Sequence, residues 1–146
     1  MFGYCVWYKI IDNKINEDIK ILSKQFATDS FPSHITIKSN LNKKDSNLLY
    51  ELMITQKMPY FIKNGKIYQT RNNNFYALQQ DYLINGKVTN RNYHISVAYR
   101  LYKPFTEEEI DLANLIYNNE LVKSDSLVIS LYDCNNQNCK LWKSIK

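Results

Sequence analysis

The chain contains two histidines, His34 and His94, and both sit in the same local pattern. His34 begins His34-Ile35-Thr36-Ile37, and His94 begins His94-Ile95-Ser96-Val97. Each run reads histidine, apolar, hydroxyl, apolar. A random histidine meets that pattern roughly one time in fifty, so both doing so by chance is on the order of one in two thousand. The flanking residues are β-branched and aromatic, which predicts strands. Side chains on a strand alternate between faces, so His34, Thr36 and Lys38 share one face while Ile35 and Ile37 take the other. The same parity puts His94, Ser96 and Arg100 together, opposite Ile95 and Val97. Two imidazoles that titrate near neutrality form an acid–base pair, one removing a proton while the other delivers one. The hydroxyls of Thr36 and Ser96 can donate to oxygens that carry charge in a transition state. Two histidines and a cysteine could also hold zinc, but the hydroxyls would then be idle, and Asp and Glu do not cluster near either run.

The elements that must position these groups follow from spacing. Residues 2–11 predict a strand. Ile15, Ile19, Leu22 and Phe26 make one apolar face of a helix over 15–28. A strand follows over 33–39, then a helix over 43–56 marked by Leu48, Leu49, Leu52 and Met53. Asn64-Gly65, between Phe61 and Ile67, predicts a two-residue hairpin. Residues 75–78 predict a strand, Asn85-Gly86 a turn, and 92–100 a strand. Thr106 with Glu109 forms a capping box that starts a helix running to Asn119. Residues 126–132 predict a strand with 139–145 as its hairpin partner. This order, without a Gly-rich phosphate loop, predicts an α+β fold of mainly antiparallel sheets in one domain, 1–146.

Composition limits the function classes. With 146 residues, 45% hydrophobic and 23% charged, the chain is neither disordered nor a coiled coil, and no apolar run is long enough to span a membrane. The start reads as a buried strand rather than a secretory signal, because it lacks a basic n-region and Lys9 interrupts it. The net charge of +5 favours anionic partners. Three cysteines, 5, 134 and 139, predict free thiols in a reducing compartment, with Cys134 and Cys139 flanking a hairpin tip at 135–138. No cofactor, metal, membrane or obligate protein partner is implied.

The doubled motif resembles the 2H phosphoesterase superfamily, which includes RNA 2′,5′-ligase-like and cyclic phosphodiesterase enzymes. Residues 32–38 are similar to its first motif, 93–98 to its second, and 129–132 to its last-lobe strand. The motifs lie 60 residues apart, closer than in most members; the helix usual before the second motif is missing; and Tyr99 stands where many members have Arg, with Arg100 next. The resemblance implies a two-lobed, pseudo-symmetric molecule with flanking helices and a central groove bearing both motifs. It implies a metal-independent phosphodiesterase in which His34, Thr36, His94 and Ser96 are catalytic, without dividing base from acid. Lys38, Arg100, Tyr76, Tyr93 and Tyr99 are then candidates for substrate binding, the tyrosines as stacking platforms. The substrates implied are 2′-linked or 2′,3′-cyclic phosphodiesters of small nucleotides. Second messengers of innate immunity, such as cyclic GMP-AMP or 2′,5′-oligoadenylate, are foremost, with RNA ends or binding without turnover as alternatives. Small viral members with such a role act in the host cytoplasm, so a cytoplasmic location is expected.

Overall fold

The computed structural model describes residues 3–136 and 138–146. Phe2, expected in the first strand, and Gln137, expected in the hairpin tip, lie outside the described residues. The elements run β1 (Tyr4–Ile10), α1 (Asn13–Gln25), β2 (His34–Leu41), α2 (Lys43–Met53), β3 (Phe61–Lys63), β4 (Tyr68–Asn72), β5 (Phe75–Ile84), β6 (Tyr93–Leu101), α3 (Glu107–Ile116), β7 (Leu121–Val122), β8 (Leu127–Asp133) and β9 (Lys143–Ser144). The fold is α+β. Its strands form one open antiparallel sheet in the order β7-β3-β5-β6-β2-β1-β8-β9, with β4 also on β5. At the centre β2 meets β6 through one residue pair, Ile35 opposite Ile95.

Helix starts follow the local chemistry. The Asp12 side chain accepts from the Ile15 N–H, and Asn42 accepts from Asp45 N–H. Thr106 and Glu109 form the expected capping box. Helix α1 presents buried Ile15, Ile19 and Leu22 to the sheet, packing on β6 and α3, while α2 packs on β1 and β8. Together these helices cover the sheet face that carries Val6, Tyr8, Ile35, Ile95 and Val97. Burial of that apolar surface is the main force holding the layers together. The opposite face of the central strands carries the two histidines. Beside them lies a smaller cluster of Cys5, Trp7, Tyr132, Cys134, Cys139 and Trp142. No helix among the described residues is long and apolar enough to cross a membrane.

Two local expectations are corrected. Asn64-Gly65 does not close a hairpin, because β3 pairs with β5 and β7 rather than with β4. β3 and β4 instead lie in succession along the same edge of β5, and the bend between them is held by Gln80, whose buried amide donates to the Gly65 carbonyl at 2.8 Å. Segment 139–145 pairs with β8 only at its end, through Lys143–Ser144 and the Ile145 N–H that donates to the Leu131 carbonyl at 2.8 Å, since Cys139–Leu141 winds into a 3₁₀ turn. The Asn85-Gly86 turn forms as expected, with both residues at positive φ (52° and 69°), and returns the chain from β5.

Candidate active site

His34, Thr36, His94 and Ser96 line one cavity of about 410 Å³ on the open face of the sheet. The antiparallel pairing of Ile35 with Ile95 explains why. It sets His34 level with Ser96, and Thr36 level with His94, so each imidazole lies across from the other motif's hydroxyl. Ile35 and Ile95, both fully buried, point the other way and anchor the strands in the core.

The two imidazoles have unlike surroundings. His34 is 6% exposed and lies flat against the Trp7 indole, with ring centroids 3.5 Å apart and planes 8° apart. Trp7 stacks in turn on Tyr132 at 4.2 Å. His34 Nδ1–H donates to the Pro32 carbonyl at 2.7 Å. A carbonyl can only accept, so this bond fixes the tautomer and leaves Nε2 with its lone pair. Burial pulls the His34 pKa down to about 3, against the Pro32 bond, and the charge of His94 adds to the lowering. His94 is half-buried. Its pKa is also lowered by burial, but the Asp81 carboxylate across the strand pair opposes that, while Arg91 reinforces it.

Both motif strands slip register at the same place. On β2, Val6 faces Lys38 but Trp7 faces Thr36, which makes Ile37 an extra residue. On β6, Leu78 faces Ala98 but Gln79 faces Ser96, which makes Val97 the extra residue. A bulge of this kind inverts the alternation beyond it. The expected parity of Lys38 and Arg100 is therefore wrong. Ser39 takes the cavity-side position on β2, while Lys38 is exposed and does not line the cavity. On β6 the cavity-side position goes to Tyr99. Arg100 turns to the other face, where Glu109 grips it at 2.9 and 2.6 Å and the Phe105 ring lies 4.3 Å below it. That grip holds the Glu109 carboxyl down at about 2.

The three tyrosines part company. Tyr99 lines the cavity, though as wall: its ring meets Phe31, Phe75 and Trp142 at 4.5, 5.0 and 5.6 Å, and burial pushes its phenol up, with Ser96 opposing the rise. Tyr76 and Tyr93 do not line it. Tyr76 packs against the main core with the guanidinium of Arg71, a residue that does line the cavity, over its ring at 5.5 Å, and Tyr93 packs on Phe61.

Several cavity residues carry no sequence signal of the kind used above. Arg91, just ahead of β6, donates to the Thr36 carbonyl at 2.8 Å and lies over Tyr93 at 4.9 Å. It brings positive charge between the motif strands, the role expected of Lys38 and Arg100, and its position three residues before His94 is the one hint in the sequence. Trp7 and Trp142 form the aromatic wall. All three cysteines are buried. Cys134 neighbours Cys5 rather than Cys139, and their hydrogen bond lowers the Cys5 pKa while raising that of Cys134. Cys139 faces the Asp29 and Ser30 carbonyls at 4.0 Å. Among the described residues, no three His, Cys, Asp or Glu side chains gather as a metal-binding group.

Comparison with models of known protein families, and with curated protein sequences, yields no match.

Proposed function

We propose that the chain is a phosphodiesterase of the 2H type, with the groove between two similar lobes as its active site. The observation that carries this reading is the quartet: two imidazoles and two hydroxyls, from adjacent antiparallel strands, lining one cavity. His34 is the base, because its Nδ1–H is committed to Pro32 and only Nε2 remains to accept a proton. His94 is then the acid. The attacking oxygen, from water or from a neighbouring hydroxyl of the substrate, loses its proton to His34 as it bonds to phosphorus. The phosphorus bond to the leaving oxygen breaks, and His94 supplies that oxygen with a proton. Thr36 and Ser96 donate to the non-bridging oxygens, with Arg91 and Arg71 as the cations that line the cavity. A phosphate anion beside the imidazoles raises the proton affinity of both, offsetting the effect of burial.

The substrates that suit this arrangement are small 2′-linked or 2′,3′-cyclic nucleotides, nucleotide second messengers of innate immunity foremost. A cavity of about 410 Å³ supports a small ligand over a folded RNA. The test is turnover in EDTA of 2′,5′-oligoadenylate, cyclic GMP-AMP and nucleoside 2′,3′-cyclic phosphates. At least one is expected to be cleaved, and His34→Ala and His94→Ala are each expected to slow the cleavage by at least about 10²-fold. Binding without turnover would replace the enzyme with a nucleotide-binding module, and wild-type rates in both variants would end the catalytic reading.

A further inference from the structure

β5 places a carboxylate directly across from one histidine and none across from the other. Asp81 is the strand partner of His94, on the cavity side of the β5–β6 pair. Side chains opposite each other on one face of antiparallel strands have Cβ atoms about 5 Å apart. The Tyr68 hydroxyl, from β4, donates to Asp81 Oδ1 at 2.8 Å. Oδ2 accepts no hydrogen bond from the described residues. Tyr68 itself stands opposite Gln79, so the tyrosine and the carboxylate come from neighbouring strands in fixed register. On the other side of the groove, the strand partner of His34 is Lys9, whose ammonium is turned to the Tyr132 hydroxyl at 3.0 Å.

We propose that Asp81, held by Tyr68, is the positioning residue that orients His94 and favours its protonated form, so that His94 serves as the acid. This rests on the phosphodiesterase reading for the word acid, but the link between Asp81 and His94 does not. The charged and titratable groups around His94 are Asp81 on β5 with Tyr68 behind it, Arg91 on the segment leading into β6, Arg71 on β4 across the cavity, and His34 on β2. Of these Asp81 alone is negative. Arg91 and a protonated His34 both disfavour a second positive charge. Asp81 therefore sets the sign that separates His94 from His34. It does not line the cavity, so its action runs through the imidazole.

Having only two histidines makes this measurable without a substrate. Each imidazole gives its own proton–carbon correlation signal, and His34→Ala identifies which belongs to His94. Asp81→Asn is expected to lower the His94 midpoint by about half a unit to one unit, a size ordinary for removing a neighbouring opposite charge. The His34 midpoint should stay within about 0.2 units, and Asp81→Glu should restore that of His94. If Asp81→Asn leaves His94 unmoved, or moves both histidines equally, the proposal is overturned. Should Asp81→Asn fail to fold, Tyr68→Phe decides: it keeps the carboxylate but releases it, and must shift His94 without shifting His34. Where a substrate is turned over, the alkaline limb of kcat/KM should move down with the His94 midpoint. Absence of turnover in every variant, with the His94 shift intact, would defeat the phosphodiesterase reading and leave the role of Asp81 standing.

Discussion

On β2 the imidazole lies flat against an indole, with its one donor bond spent on Pro32. On β6 the same motif holds its imidazole half in the open, between a carboxylate and a guanidinium. The four-residue patterns are interchangeable, and their surroundings are not. The pattern provides only the groups and their parity; the neighbouring strands decide what each histidine can do. β1, carrying Trp7, makes His34 a neutral acceptor. β5, carrying Asp81, tilts His94 toward the cation.

Removing either imidazole is the bluntest way to probe this comparison. Each single variant to Ala should lower kcat/KM by roughly 10²–10⁴-fold, the range for a lost general acid or base. The pH profiles should lose opposite limbs: the acid limb with His34, the alkaline limb with His94. Loss of the same limb from both would show that the two sides do not differ.

Trp7→Ala comes next. Trp7 is 1% exposed and in contact with Tyr132 as well as His34, so its truncation should destabilise the protein by about 3–5 kcal/mol in a denaturant titration. It should also let water reach His34 and raise the midpoint of that histidine toward 6.5 while leaving His94 near its own. An unchanged His34 midpoint would mean that the indole does not desolvate it.

The pH dependence of stability sharpens the same point. His34 has a folded pKa of about 3 against an ordinary value of 6.5, so between those limits the unfolded chain binds a proton that the folded chain does not. Stability should rise with pH across that window, at up to about 1.4 kcal/mol per unit from this one group. His94, also lowered, contributes with the same sign but less. Denaturation between pH 5 and 6.5 avoids the carboxylates, and His34→Gln should flatten the slope more than His94→Gln does. Equal flattening would remove the distinction between the two sites.

The smallest effects concern the cations. Arg91→Ala should lower kcat/KM about tenfold or more, as loss of one charge-stabilising donor does. Lys38→Ala and Arg100→Ala should stay within about twofold. Arg100→Ala should instead cost about 1 kcal/mol of stability, through its paired bonds to Glu109. Reversal of that order would restore the residues that simple strand alternation favours.

Those two residues also show how much could be read from the sequence. His34, Thr36, His94 and Ser96 were legible because each motif is short enough for strict alternation to hold. Lys38 and Arg100 were misread because a bulged residue, Ile37 or Val97, looks like any other β-branched strand residue. Nothing in one strand's sequence reports that its neighbour spends one residue against two. Helix α3 was legible from Thr106 and Glu109, whose capping chemistry is local. The β3–β5 pairing was not, since Asn64-Gly65 is as compatible with a bend along a sheet edge as with a hairpin. Asp81 and Arg91 were missed for a related reason: they act across strands, and register is a property of the folded sheet.

The Ile35–Ile95 pair has a mechanical consequence. The sheet is continuous on either side of it, with long ladders between β1 and β8 and between β5 and β6, but the seam between β2 and β6 is closed by one residue pair and the Arg91 bond to Thr36. A sheet joined so briefly is stiff within each bank and soft between them. The spacing of the two histidines is thus set across the sheet's briefest central pairing. Each bank therefore fixes the surroundings of its own imidazole, and the Ile35–Ile95 pair fixes only how the two imidazoles face each other.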